Sequence, residues 1–248
     1  MTVRVLTEWR PASTPQHLRL PLVVAALVVV LVVWNVLANT LSPDAQLPIS
    51  VIGAFGLVVI ARRAGLGWSD LGLARRNLGE GVRVGVIAAG AVILVLVTAA
   101  AIPDTRNVLA DGRFIGMDLP RALYEMLVRI PLAVALAEEI AFRGVLLGIL
   151  MTRTTALRAV VISSALFGLW HVFPAISALE SASVIEISST GMQVGLVAAQ
   201  VLVTGLAGAV FSWLRLRGGH VASSILVHAP LNSVSFGIGW LAVQGALI

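Results

Sequence analysis

The sequence predicts an all-α fold, a polytopic transmembrane helical bundle of about eight transmembrane helices. Of its 248 residues, 58% are hydrophobic and only 12% are charged, where an ordinary soluble domain carries about 25% charged residues. The mean hydropathy is +0.99. Apolar runs of the roughly 20 residues that a membrane-crossing helix needs recur along the chain, separated by charge or by Gly/Pro punctuation. Together these exclude a soluble globular domain, a disordered chain and a nucleic-acid partner. The absence of cysteine also excludes disulfides, a thiolate zinc site, iron–sulfur clusters and a cysteine nucleophile.

Leu20 to Ala38 is the first run. It follows a tail, residues 1–19, that carries Arg4, Arg10 and Arg19, and it is longer than the apolar region of a signal peptide, so it reads as an uncleaved anchor. A second span runs from about Ala45 to Ala61 and a third from Val84 to Pro103, with a basic loop from Arg62 to Arg83 between them. The fourth, about Pro120 to Met151, holds charges within its apolar stretch. The fifth is about Thr155 to Phe173 and the sixth Met192 to Leu214. Val221 to Ile248 is too long for one span and short for two, and Pro230 with its polar neighbours predicts two short helices there. Residues 20–248 therefore read as a single transmembrane domain.

The charge pattern supports this segmentation. The net charge is +5, and every basic residue is arginine. Alternating the spans across a bilayer gathers Arg4, Arg10, Arg19, the arginines of the 62–83 loop, Arg153, Arg158, Arg215 and Arg217 on the N-terminal side. Arg106, Arg113, Arg121 and Arg129 fall opposite, among Asp104, Asp111, Asp118 and Glu125. The loop with Glu180 and Glu186 also falls opposite. By the positive-inside rule the N-terminus is cytoplasmic, in an integral multi-pass protein of, by expectation, a bacterial cell membrane.

An ionisable residue inside a span is a functional hypothesis, because burying it unpaired costs several kcal/mol. In the fourth span Glu139 and Arg143 are four residues apart on one helical face and can form an ion pair. Glu138 is rotated by about 100° from Glu139 and lacks that partner, and a carboxylate in such surroundings suits general acid–base work. His171 ends the fifth span just ahead of Pro174. His228 and Asn232 share a face beside Pro230. Counted from the arginines at each helix's cytoplasmic end, Glu138, His171 and His228 lie at depths of about 22, 20 and 16 Å. One intramembrane cavity can hold all of them.

Glu138-Glu139-x-x-x-Arg143, Phe167-x-x-x-His171 and His228-x-x-x-Asn232, in that order on successive hydrophobic helices, resemble the CPBP family, which includes the type II CAAX prenyl endopeptidases and the bacteriocin-processing Abi proteins. Gly65-Leu66-Gly67-Trp68-Ser69-Asp70-Leu71-Gly72-Leu73 is more loosely similar to that family's loop between early helices. The resemblance implies an eight-helix intramembrane endopeptidase with its catalytic core at about 120–233, acting on a peptide or protein near the bilayer. In it, Glu138 and His171 would activate a water molecule, His228 and Asn232 would hold the oxyanion, and Glu139 with Arg143 would brace the helix. Glu138, His171 and His228 also form a donor set compatible with zinc or another divalent metal, although the His-Glu-x-x-His arrangement of zincins is absent, and the metal-free reading is preferred. The alternative is a non-enzymatic membrane protein, either a proton-coupled transporter or an immunity or interaction factor.

Other polar and aromatic positions carry simpler expectations. Glu125 and Arg129 pair near the membrane edge, and His220 is interfacial. His17 is a tail residue without a role. Trp34, Trp170, Trp213 and Trp240 serve as interface anchors or packing.

Overall fold

In the computed structural model, residues 20–102, 112–181 and 189–245 are described, together with 105 and 109. Arg4, Arg10, His17, Arg19, Asp104, Arg106, Asp111 and Glu186 lie outside the described residues, as does the side chain of Glu180. The described chain is helical, with short 3-10 turns at Arg75–Asn77 and Gly112–Phe114. Helix α1 is Leu20–Thr40, α2 Pro43–Arg63 and α3 Leu78–Ala100. A long central helix, α4, occupies residues 119–151. Then come α5, Ala156–Trp170, α6, Val172–Ser181, α7, Thr190–Gly218, and α8, Ala222–Val243.

Helix starts follow local chemistry. Asp118 caps α4 by accepting the Arg121 N–H at 2.9 Å, Thr155 caps α5 by accepting that of Arg158 at 3.3 Å, and Ser189 caps α7 by accepting that of Met192 at 3.2 Å. Each bond satisfies one of the free amides of a first helical turn. Gly219 ends α7 in the left-handed region at φ 65°, where a glycine carries no Cβ penalty.

Six stretches among the described residues are long and apolar enough to cross a membrane, so an integral, multi-pass protein follows, with the expected count of eight spans not reached by that measure. Helices α5 and α6 form one such stretch, Ala156–Leu179, and α4 is not among the six. The spans expose large apolar side chains, as lipid-facing helices do: Ile52 on α2 is 70% exposed and Leu94 on α3 is 68% exposed. By contrast α4 is buried on every side from Ala141 to Met151, as expected of a helix apolar all round in a bundle centre. It packs against α2, α7 and α8, while α3 runs along α8 and α5 along α7.

Three expectations change. Val221 to Ile248 is not broken at Pro230, since Ala222–Val243 is one helix with that proline inside it. A proline removes one amide donor and strains one turn, and the packing of α8 along α3, α4 and α7 keeps the helix going beyond it. The third span starts earlier than Val84, so Arg83 lies within α3, where it pairs with Glu80 at 2.8 Å. Helix α7 likewise runs past Leu214, and Arg215 is a buried residue, 1% exposed, rather than a loop arginine. Its Nη2 donates to the main-chain carbonyl of Asp70.

That bond anchors the segment 64–74, which folds inward instead of lying on the surface. Leu66, Asp70 and Leu71 are fully buried. Asp70 accepts the Gly67 N–H at 2.8 Å, and the Val221 N–H donates to the Gly72 carbonyl at 2.9 Å. Gly148 of α4 makes room for the segment, because a Cβ there would stand 2.7 Å from the Asp70 carbonyl oxygen.

His220 sits beside this anchor and is buried. Its Nδ1 accepts the Ala222 N–H at 3.0 Å, so the lone pair that a proton would take is already in use. Burial, and secondarily the Arg215 guanidinium, hold the imidazole below its ordinary value of 6.5. The fold therefore prefers the neutral ring, whose contribution is present above about pH 6.5 and lost as pH falls through the folded-state value. Thermal unfolding in detergent is expected to show a stability loss between about pH 7.5 and pH 5 that shrinks in His220→Gln. An unchanged acid loss in that variant would refute the assignment.

Candidate functional site

The site is built on α4 and closed by the C-terminal end of α5 and the middle of α8. Helix α4 is not a uniform α-helix. Leu119–Tyr124, Ala137–Glu139 and Leu147–Met151 are α-helical, while Glu125–Leu136 and Ile140–Leu146 are wide π turns. Pro131 lies inside the first π stretch, and π segments of this kind recur at functional sites. The two glutamates occupy the short α segment between them.

Glu139 and Arg143 form the expected pair. Arg143 Nη1 donates to Glu139 Oε1 at 3.0 Å, and both side chains are completely buried. The same Oε1 lies 2.9 Å from Nδ1 of His228. Among the described residues Nε and Nη2 of Arg143 find no hydrogen-bond partner, and the guanidinium instead faces aromatic rings: its Cζ is 4.0 Å from the Phe167 centroid, 5.2 Å from Phe211 and 5.9 Å from Phe142. Cation–π attraction of this kind is strongest when desolvated. Gly208 of α7 admits it, since a Cβ there would come within 3.0 Å of Nη2.

Glu138 has a different neighbourhood. Its Oε1 accepts the indole N–H of Trp170 at 3.0 Å. Its Oε2 is buried without a hydrogen-bond partner among the described residues and lies 4.0 Å from Nε2 of His228. His228 thus stands between the two carboxylates, 3% exposed, with its ring stacked on Phe211 at 4.8 Å. Trp170, read from sequence as an anchor or packing residue, is part of this site, and its signal was its place beside His171. Trp34 is likewise internal, edge-on to Trp170 at 5.3 Å.

His171 caps α5 and is partly exposed. Its Nδ1 is 2.8 Å from the Phe167 carbonyl, which can only accept, so Nδ1 carries the hydrogen and the neutral ring presents its lone pair at Nε2. Asn232 lies one turn beyond His228 on α8, also partly exposed. The structure thus brings Glu138, Glu139, Arg143 and His228 into direct contact, and places His171 beside them through Trp170 and the Phe167 ring, 4.6 Å from its own. Among the described residues no group of three or more His, Asp or Glu side chains is gathered to hold a metal ion.

Near the opposite end of α4, Glu125 is 3% exposed and pairs with Arg129 as expected. It also accepts from Arg121 at 2.8 Å. Gln46 of α2 receives a further hydrogen bond from Arg129.

These features define a class: a polytopic helical membrane protein with two adjacent carboxylates and an imidazole buried in its bundle. Residues 120–234 match the family described as type II CAAX prenyl endopeptidase, Rce1-like. The matched segment runs from the first turn of α4 to just past Asn232 and takes in all three sequence motifs, so this part of the chain is similar to that family. No curated protein and no solved structure matches the chain.

Removing one partner of a buried ion pair is expected to cost about 3–5 kcal/mol, because the other charge is left uncompensated. Arg143→Met should lower folding stability by that order, measured by titrating the purified protein with SDS. A loss of under about 1 kcal/mol would mean that the pair does not hold α4 to α8.

Proposed function

We propose that the protein is an intramembrane endopeptidase that hydrolyses a peptide bond of a membrane-associated protein or peptide. The observation that carries this reading is the free Oε2 of Glu138, buried and 4.0 Å from His228 Nε2. A buried carboxylate oxygen without a partner is costly to maintain, and it offers a base to a water molecule placed between it and a substrate carbonyl. Glu138, aided by the Nε2 lone pair of His171, takes a proton from that water as its oxygen bonds to the carbonyl carbon. The tetrahedral oxyanion is held by His228 and Asn232. Collapse breaks the C–N bond, and the proton on Glu138 passes to the leaving amine.

The tautomer of His228 follows from this role. Arg143 keeps Glu139 a carboxylate, so Nδ1 of His228 must donate to it. If Nε2 also donates to the oxyanion, the ring is an imidazolium, and the Glu139 charge stabilises it. Glu139 therefore does more than brace α4.

No step is assigned to a metal. The class of substrate follows the family description, a CAAX-type prenylated C-terminal segment, and the cytoplasmic N-terminus is proposed from the arginine distribution. A proton-coupled transporter would tend to pair broken helices in its two halves, whereas α8 runs unbroken past Pro230.

Purified protein in lipid nanodiscs should cleave a farnesylated reporter peptide ending in a CAAX sequence. Glu138→Gln should abolish cleavage, and Asn232→Ala should lower kcat by about 10²-fold. Wild-type rates in a folded Glu138→Gln protein would defeat the proposal. Cleavage should also survive a strong chelator, and loss followed by specific restoration with zinc would recast Glu138, His171 and His228 as metal ligands.

A further inference from the structure

Helix α1 lies outside the family segment, yet it reaches the site through one buried side chain. Asn35 is 4% exposed within an otherwise apolar run, and a buried amide is stable there only if it is hydrogen-bonded. Its Nδ2 donates to the main-chain carbonyl of Trp170 at 2.8 Å, across 135 residues of sequence. That carbonyl is available for a definite reason. Its ordinary helical donor would be the amide of residue 174, which is proline, and proline has no N–H and crowds the carbonyl four residues before it. Asn35 supplies the bond that Pro174 cannot.

The amide orientation is consistent on both sides. Nδ2 must be the atom facing a carbonyl, and Asn39 Nδ2 donates to the Asn35 carbonyl at 2.8 Å and its Oδ1 at 3.4 Å. The Trp170 ring is then held by edge contacts to Trp34 at 5.3 Å and Phe142 at 5.5 Å. Trp34 is itself tied by its Nε1 to the Ser50 hydroxyl of α2 at 3.3 Å. The result of this support is an indole N–H aimed at Glu138 Oε1.

We infer that Asn35 and Trp170 are positioning residues for Glu138: Asn35 fixes the end of α5, the Trp170 indole takes one carboxylate oxygen, and the other is left turned toward His228. This rests on the reading of Glu138 as the general base, but the relay itself is testable without turnover. It also means that the family segment, residues 120–234, needs α1 to complete its site.

The test labels the indole nitrogens of the six tryptophans with 15N in the full-length protein in nanodiscs. The Trp170 N–H resonance is identified by its loss in Trp170→Phe. It should move upfield in Glu138→Ala, which removes the acceptor, and also in Asn35→Leu, which is similar in size but cannot donate. The Trp240 indole, which donates to the Met117 carbonyl at 3.0 Å, should stay in place and report that the fold is intact. Should Asn35→Leu disturb Trp240 as well, Asn35→Ser replaces it, a smaller polar residue without the reach to Trp170. A Trp170 resonance that stays put in a folded Asn35 variant overturns the inference. With the farnesylated reporter, the same variant should lose about tenfold in kcat with KM unchanged, as misplacing a reacting group does. An inert wild-type protein would count against the endopeptidase reading alone, because the resonances still decide the relay.

Discussion

One carboxylate oxygen, Oε1 of Glu139, organises the centre of this protein. It accepts from Arg143 within α4 and from His228 on α8, so a local helical pair becomes a tie between two helices. Full burial makes the arrangement demanding. The guanidinium has only one hydrogen-bonded nitrogen in the pair, and it is surrounded by Phe142, Phe167 and Phe211 from three helices. Those rings in turn pack on one another and on both histidines. The positions of His228, His171 and the end of α5 therefore all trace back to how one fully buried ion pair is accommodated.

A second buried arginine follows the same logic with different partners. Arg215 uses its Nη2 to donate to a main-chain carbonyl of the inward-folded segment 64–74. Helix α4 accepts that segment on a face of small residues, Gly144 against the Leu71 carbonyl and Gly148 against that of Asp70. The central helix is thus held near its middle by charge and in its last turns by close backbone packing. The π turns of Ile140–Leu146 carry both Arg143 of the charge tie and Gly144 of the close packing. A wide turn shifts where a side chain emerges relative to an α-helix, and close packing on both sides makes such a turn tolerable.

Much of this was legible in the sequence, for physical reasons that also set the limit. Hydropathy located α1, α2 and α7 because lipid contact demands continuous apolar surface. Spacing identified the Glu139–Arg143 and Glu125–Arg129 pairs, because partners on one helix are fixed by its geometry. Depth arithmetic set Glu138 and His228 at similar depth, and their side chains lie 4.0 Å apart. Contacts between distant parts of the chain were not legible. Nothing local says that Asn35 meets Trp170 or that Arg215 turns inward, since periodicity gives a residue's face but not the helix opposite. The pointers were present in another form: an amide within the apolar run of α1, and a proline four residues after Trp170. Pro230 misled in the opposite direction, because a proline's local penalty is small against the packing of a whole helix.

Glu138 and Glu139 show how adjacent identical residues acquire different characters. Glu139 is matched by a cation, so its charge is neutralised locally and its oxygen serves to hold other groups. Glu138 meets an indole, a neutral donor that fixes direction without supplying a compensating charge. Substituting a cation for that indole would orient the carboxylate equally well, but it would engage the carboxylate in a second charge-assisted pair. With no donor at all, the carboxylate could turn either oxygen toward Arg143, whose Nη2 has a free hydrogen-bonding position. A neutral, rigid donor avoids both outcomes. That explains why the aromatic packing from α1 through Trp34 and Asn35 matters to a carboxylate on α4 that neither residue touches.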